Sequence, residues 1–200
     1  QGTRKMQEYI DNIIATYGEA TATQRRNGLQ WYKRAKKDCR KVAKETGMPL
    51  RHVAGVVAAT SPNLRWEKNV HTAKQVIEAY VSGQPAKDIK GCMAYPANRI
   101  KAYSVLSGAN RSASVLKTLN GPKVSAFFDN IIGGDSVTID GHARNIAYDD
   151  KKAPVKVSIN KSEYNMLVSA YRAAAALLGL RACELQAITW VVWRNKKGFV

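Results

Sequence analysis

Cysteine, acidic residues and long apolar runs are all scarce in this chain, and each shortage removes a class of protein. The 200 residues hold three cysteines, Cys39, Cys92 and Cys183, odd in number and far apart. They match neither a disulfide framework nor a CxxC metal site, so a reducing compartment is expected: the cytoplasm, on the nucleoid, or a host cytoplasm if the chain is viral. No apolar run approaches the ~18 residues that cross a bilayer, so no membrane partner is expected. The opening stretch QGTRKMQEYIDN lacks a signal-peptide core, and its start at Gln1 suggests that a few residues are missing upstream.

Common catalytic signatures are missing too. There is no phosphate-cradling GxxxxGK[ST] loop and no GxGxxG after a strand, which removes the usual support for nucleotide-dependent classes. His52, His71 and His142 are scattered, with no HExxH and no Cys-rich partner motif. That argues against a zinc hydrolase or a zinc deaminase, and no metal or other cofactor is expected. A GxSxG elbow is absent as well. No repeat, low-complexity tract or linker divides the chain, so one cooperative monomeric body with two helical lobes is expected.

The shortage of acid is the most informative. Fifteen acidic residues face 32 Lys plus Arg, a formal charge of +17, while 45% of the residues are hydrophobic. The apolar share suits a folded protein. Such an excess of cations predicts a polyanionic partner, because releasing counterions from phosphates rewards each well-placed cation. A ribosomal or chromatin-like protein would carry the same charge, so the partner class is indicated and the activity stays open.

Periodicity and punctuation predict an all-α chain. Tyr9, Ile10, Ile13, Ile14 and Tyr17 recur at helical spacing and stop at Gly18. A second helix is expected from about Thr23 to Gly47, carrying nine cations between Gln24 and Thr46 against Asp38 and Glu45; it reads either as a solvated face or as a phosphate-facing surface. Trp31 and Tyr32 within it are candidates for stacking on nucleic acid. LRHVAGVVAAT reads as a buried helix stopped by Ser61-Pro62, and Trp66 to Tyr80 as the next, ending at Gly83. NRIKAYSVLSG, SASVLKTLNG and PKVSAFFDNIIGG follow as helices, the last opening on Pro122. The final third holds a helix from near Asp140, a short alternating segment PVKVSI that reads as a possible strand, a helix from about Lys161 to Leu178, and CELQAITWVVWR. Trp66, Trp190 and Trp193 lie on apolar faces and read as core.

Two segments hold the chemistry, LNGPKVSAFFDNI and SVTIDGHARNIA. The first reads as a helix, a tight turn and a new helix N-terminus, whose exposed N–H groups can bind phosphate without side chains. Lys123 falls in that first turn, where the helix dipole and neighbouring cations would lower an amine's pKa and make it a nucleophile. Taken singly, Lys123 reads as a solvated side chain and Asp140 as a helix cap worth ~1 kcal/mol. His142 reads as a structural hydrogen bonder, and Arg144 either contacts phosphate or pairs with an acid.

Together these segments resemble the helix-hairpin-helix DNA glycosylase superfamily, whose bifunctional members are glycosylase/AP lyases of the endonuclease III type. That family carries a hairpin of the form L-P-G-V-G-x-K-T-A and, further on, V-D-T-H-V. Lys123 matches the lysine that forms the Schiff base, Asp140 the aspartate that assists glycosidic cleavage, and His142 the following histidine. HVAGVVAATSPNLRWEKNVHTAKQVI resembles the family's apolar helix, wedge-bearing loop and returning helix, NRIKAYSVLSG the helix before the hairpin, and LQAITWVVWR a helix after the aspartate. The likeness spans residues 48 to 194.

The resemblance implies a two-lobed helical fold with a cleft between lobes, a lobe of 48–134 ending in the hairpin and one of 135–200 carrying the aspartate; the basic helices in residues 1–47 lie outside the likeness and are expected to pack with the C-terminal lobe. It implies excision of a damaged or modified base from duplex DNA through Lys123 and Asp140, with DNA contacts at Asn120, Gly121, Pro122, Ser125, Ser61, Pro62, Asn63, His142 and Arg144. Departures are plain: Gly121 alone remains of two hairpin glycines, the turn is shorter, and the four-cysteine iron-sulfur loop is missing, as in clusterless members. No pattern identifies the base. Two alternatives stay open, a non-catalytic DNA- or RNA-binding helical protein and a viral glycosylase-like enzyme of thymine hypermodification.

Overall fold

The computed structural model describes residues 2–198. Among the described residues the fold is all-α, with ten α-helices and no strand. Among the described residues no single helix is long and apolar enough to cross a membrane. The chain forms two compact units, one of Lys33–Gly134 and one assembled from both ends of the chain, up to Tyr32 and from Asp135 onward.

The continuous unit is built around a helix that is buried on nearly every side. Helix α3 (Leu50–Thr60) is covered from His52 to Thr60, which its almost unbroken apolar run requires. Helices α4 (Trp66–Val81), α5 (Pro96–Ser107), α6 (Ser112–Leu119) and α7 (Pro122–Ile132) pack on it. Gly55 permits the close approach of α5 and α6: a Cβ there would stand 2.7 Å from Val105 Cγ1 and 2.8 Å from Val115 Cγ1. The Asn69 side chain donates to the Val57 carbonyl at 3.1 Å, tying α4 to α3.

Helix α2 (Ala22–Thr46) belongs to both units, its sequence passing from one to the other between Tyr32 and Lys33. It opens on a reciprocal capping box: Gln24 N–H donates to Thr21 Oγ1, and Thr21 N–H donates to Gln24 Oε1. The expected grouping of residues 1–47 with the C-terminal lobe therefore needs correction, since residues 33–46 group with 48–134. Ala35, Cys39 and Val42 are buried there, Trp66 Nε1 donates to Asp38 at 2.8 Å, and Lys74 pairs with Glu45 at 2.9 Å. Burial also pushes the Cys39 thiol up to about 12, with Asp38 adding to it, so this cysteine is inert packing material.

In the other unit, α1 (Gly2–Gly18) packs on α8 (Gly141–Tyr148), α9 (Lys161–Leu178) and α10 (Ala182–Lys196). Its apolar stripe, Tyr9, Ile10 and Ile13, meets Ile146, Leu167, Tyr171, Leu185 and Trp193 in one core. Each such side chain contributes ~1.5–3 kcal/mol of burial. The first half of α2 comes so near α10 that a Cβ on Gly28 would lie 2.5 Å from Ile188 Cα. The segment PVKVSI is not a strand. Its side chains do alternate, Val155, Val157 and Ile159 half-buried and Lys156 and Ser158 exposed, but Val157 N–H bonds back to the Val155 carbonyl and no strand lies beside it.

Candidate functional site

The hairpin lies in the continuous unit. Helix α6 ends at Asn120, which takes the left-handed position with φ 59°, a conformation asparagine tolerates better than most residues. Gly121 is extended (φ −86°), so the turn does not use glycine's freedom, and Pro122 starts α7. Only two residues join the helices, and this shortness spends most of the amides internally. Asn120 N–H bonds to Leu116 O, Gly121 N–H to Leu119 O and Ser125 N–H to Gly121 O. Pro122 has no N–H. The expected backbone phosphate contacts at Asn120, Gly121, Pro122 and Ser125 are therefore corrected: Lys123 and Val124 carry the donors that the uncapped first turn of α7 can offer an anion. Lys123 itself is exposed on that turn.

Ser61, Pro62 and Asn63 end α3 in the same unit. Ser61 turns both its hydroxyl and its N–H onto the Ala58 carbonyl. Asn63 is exposed at φ 64° and donates to Tyr95 Oη at 3.0 Å. This is a tied turn, with Asn63 its outermost side chain among the three.

Asp140 lies in the other unit, at the end of a heavily braced segment. Asp135 accepts from Cys183 N–H at 2.9 Å, and Arg172 donates to the Asp135 carbonyl at 2.9 Å. The Tyr164 hydroxyl donates to Val137 O at 2.8 Å and accepts from Ile139 N–H at 3.1 Å. Val137 and Ile139 point into the core. Asp140 then caps α8: its Oδ1 accepts from Ala143 N–H at 2.8 Å and its Oδ2 from Trp190 Nε1 at 3.0 Å. Next to it, Gly141 has no room for any side chain, since a Cβ would fall 1.8 Å from the Val155 carbonyl oxygen.

The indole that holds Asp140 is itself held on several sides. Trp31 meets the Trp190 ring edge-on at 5.6 Å, His142 does so at 6.4 Å, and the Arg194 guanidinium lies 4.3 Å from its centroid. Trp190 was expected only as core, and its link to Asp140 is the main feature that sequence reasoning missed. A half-buried indole N–H needs an acceptor, but spacing alone does not say which carboxylate supplies it.

Four residues expected as candidates for nucleic-acid contact have partners within the fold. Arg144 takes the acid-pairing alternative: it pairs with Glu163 at 2.8 Å and lies 4.3 Å from the Tyr148 ring centroid, with its side chain 20% exposed. His142 is buried, 8% exposed, against Trp190. Trp31 and Tyr32 are occupied within the fold: their rings meet edge-on at 5.0 Å, and the Tyr32 hydroxyl donates to Gln186 at 2.6 Å. Burial raises the Tyr32 hydroxyl far above the usual phenol range. Among the described residues, no three His, Cys, Asp or Glu side chains gather to hold a metal.

A family model described as a family of unknown function, DUF7178, matches residues 1–197. The chain belongs to that family. No curated protein and no solved structure matches it.

Burial holds the His142 imidazole below its ordinary pKa, Arg194 and Lys197 push the same way, and Asp140 opposes them. The unfolded chain thus takes up a proton near pH 6.5 that the native chain refuses. His142 favours the fold above that pH, and the contribution is lost as pH falls through the window below it. We expect melting midpoints between pH 7.5 and 5 to fall less steeply in His142→Gln than in the wild type.

Proposed function

We propose that this protein is a DNA glycosylase that excises a damaged or modified base from duplex DNA, with Asp140 as its carboxylate and Lys123 as the candidate amine. The observation that carries the reading is the built carboxylate: a half-buried aspartate fixed by the α8 backbone and the Trp190 indole, at the end of a segment braced by Tyr164 and Asp135. A preorganised negative charge of this kind stabilises the oxocarbenium ion that develops as an N-glycosidic bond breaks. The base leaves with the bonding electrons, and flipping it costs least where it is damaged or mispaired. With an amine as nucleophile, Lys123 attacks C1′, Asp140 accepts its proton, and the Schiff base permits strand cleavage by elimination.

The test is release of free base by the wild-type chain from a panel of duplexes carrying oxidised, alkylated, deaminated and modified-thymine bases, with and without borohydride. Base release with a covalent DNA adduct that Lys123→Gln abolishes supports base excision with Lys123 as the amine. Release with no adduct leaves a monofunctional glycosylase in which water attacks. No release from any duplex overturns the excision reading.

A second reading, a non-catalytic nucleic-acid-binding protein, is favoured by one observation. Both oxygens of Asp140 already accept a donor, as a purely structural cap would. It requires salt-dependent DNA binding that is unchanged when Asp140 loses its charge.

A further inference from the structure

Helix α2 carries a feature that neither the hairpin nor Asp140 accounts for. Lys33, Lys37, Arg40 and Lys44 are all exposed, and their i, i+4, i+7, i+11 spacing puts them on one face. Ala35, Cys39 and Val42 are buried on the opposite side. The two acids of this stretch are turned elsewhere, Asp38 accepting from the Trp66 indole and Glu45 paired with Lys74. Among the described residues none of the four cations makes an ion pair. Like charges three and four residues apart repel, so the free protein holds this stripe at a cost in stability.

We propose that the Lys33–Lys37–Arg40–Lys44 face of α2 is a docking surface for the phosphate backbone of duplex DNA. It is a straight row about 16 Å long, 11 residues at ~1.5 Å each, lying along a rod-like helix. Row and ligand are complementary in charge along their lengths, and each phosphate neutralised releases condensed counterions. A duplex fits better than a single strand. Binding single strands relies on open aromatic platforms, and the neighbouring Trp31 and Tyr32 are occupied within the fold. The choice of DNA over RNA rests on the functional reading above; the surface itself does not depend on base excision.

The experiment is titration of a labelled 20-base-pair DNA duplex between 50 and 200 mM salt. It compares the wild type, the stripe variant Lys33→Gln/Lys37→Gln/Arg40→Gln/Lys44→Gln, and a control of equal charge change, Lys151→Gln/Lys152→Gln/Lys156→Gln/Lys161→Gln. The stripe variant is expected to lose about 3.6 from the slope of log K against log salt, ~0.9 for each of four contacts, while the control keeps the wild-type slope. Relief of like-charge repulsion is expected to leave the stripe variant melting at or above the wild-type temperature, which separates lost binding from lost fold. A stripe variant with the control's slope overturns the surface, and so does a wild type that binds no duplex at 50 mM salt. Tighter binding to a 20-base-pair RNA duplex overturns the choice of DNA. Failure to release base with this slope difference intact overturns the glycosylase reading and leaves the surface standing.

Discussion

Gly141→Ala is expected to lower the melting midpoint by roughly 6–12 °C, taking a cost of about 3 kcal/mol and 2–4 °C per kcal/mol for a chain of this size. The added methyl would lie 1.8 Å from Val155 O and 2.6 Å from Val155 C, and its neighbours are backbone atoms with no rotamer to yield. Moving the strap of residues 153–155 aside carries a second cost. The fully buried Asn145 donates from Nδ2 to Ala153 O at 3.3 Å and lies at the limit of reach of Pro154 O. A displaced strap leaves that amide without its acceptors, and an unsatisfied buried donor costs ~1–3 kcal/mol. Thermal melts of the wild type and the variant check the expectation. A midpoint within 2 °C of wild type would mean that the strap yields freely and that glycine at this position is incidental.

The second large effect is chemical. Asp140→Asn is expected to slow base release by ~10²–10³-fold, the loss seen when one preorganised charge-stabilising group is removed. Asparagine is as good a helix cap as aspartate, so α8 keeps its start. Its carbonyl can take only one of the two donors with ideal geometry, and its NH2 group would face the Trp190 N–H, a donor against a donor. The fold cost is one unmatched hydrogen bond, ~1–3 kcal/mol. Trp190→Phe removes that conflict, so Asp140→Asn should cost less stability in the Trp190→Phe background than in the wild type. Single-turnover base release beside melting curves for the four chains reads both quantities. Unchanged base release in Asp140→Asn would reduce the aspartate to a cap.

Most helices were readable in the sequence because their stops are written in residues with few options. The ninth helix runs from Lys161 to Leu178 as its period and Gly179 require, and the seventh opens on Pro122 and closes at Gly133, left-handed at φ 109°. What escaped is what depends on partners. PVKVSI has the alternation of a strand and is half-buried on alternate residues, yet a strand needs a neighbour and the backbone of Val155 lies against Gly141 instead. Trp31, Tyr32 and Trp190 share an amphipathic chemistry that spacing cannot sort, since an indole on a helix face looks the same whether its N–H meets solvent, a base or Asp140. The sequence left Arg144 between a phosphate and an acid for the same reason, because its partner Glu163 stands 19 residues away in sequence and 2.8 Å away in space. Asp140 itself was readable as a cap, but its second donor was not.

The making of one unit from both chain ends governs the order in which the protein can fold. The Asn12 side chain donates to the Ala147 carbonyl, 135 positions later, and Tyr9, Ile10 and Ile13 have their covering residues between positions 137 and 193. On the ribosome α1 emerges well before these partners and stays bare until they are made. The stretch Lys33–Gly134, by contrast, forms a compact unit of continuous sequence, complete once Gly134 is out. Contacts so distant in sequence wait on loop closure and form late. Refolding should show a fast phase from the continuous unit and a slower one that brings Trp193 into the core. Until that second phase ends, the apolar stripe of the first helix is the segment most open to chaperones and to aggregation.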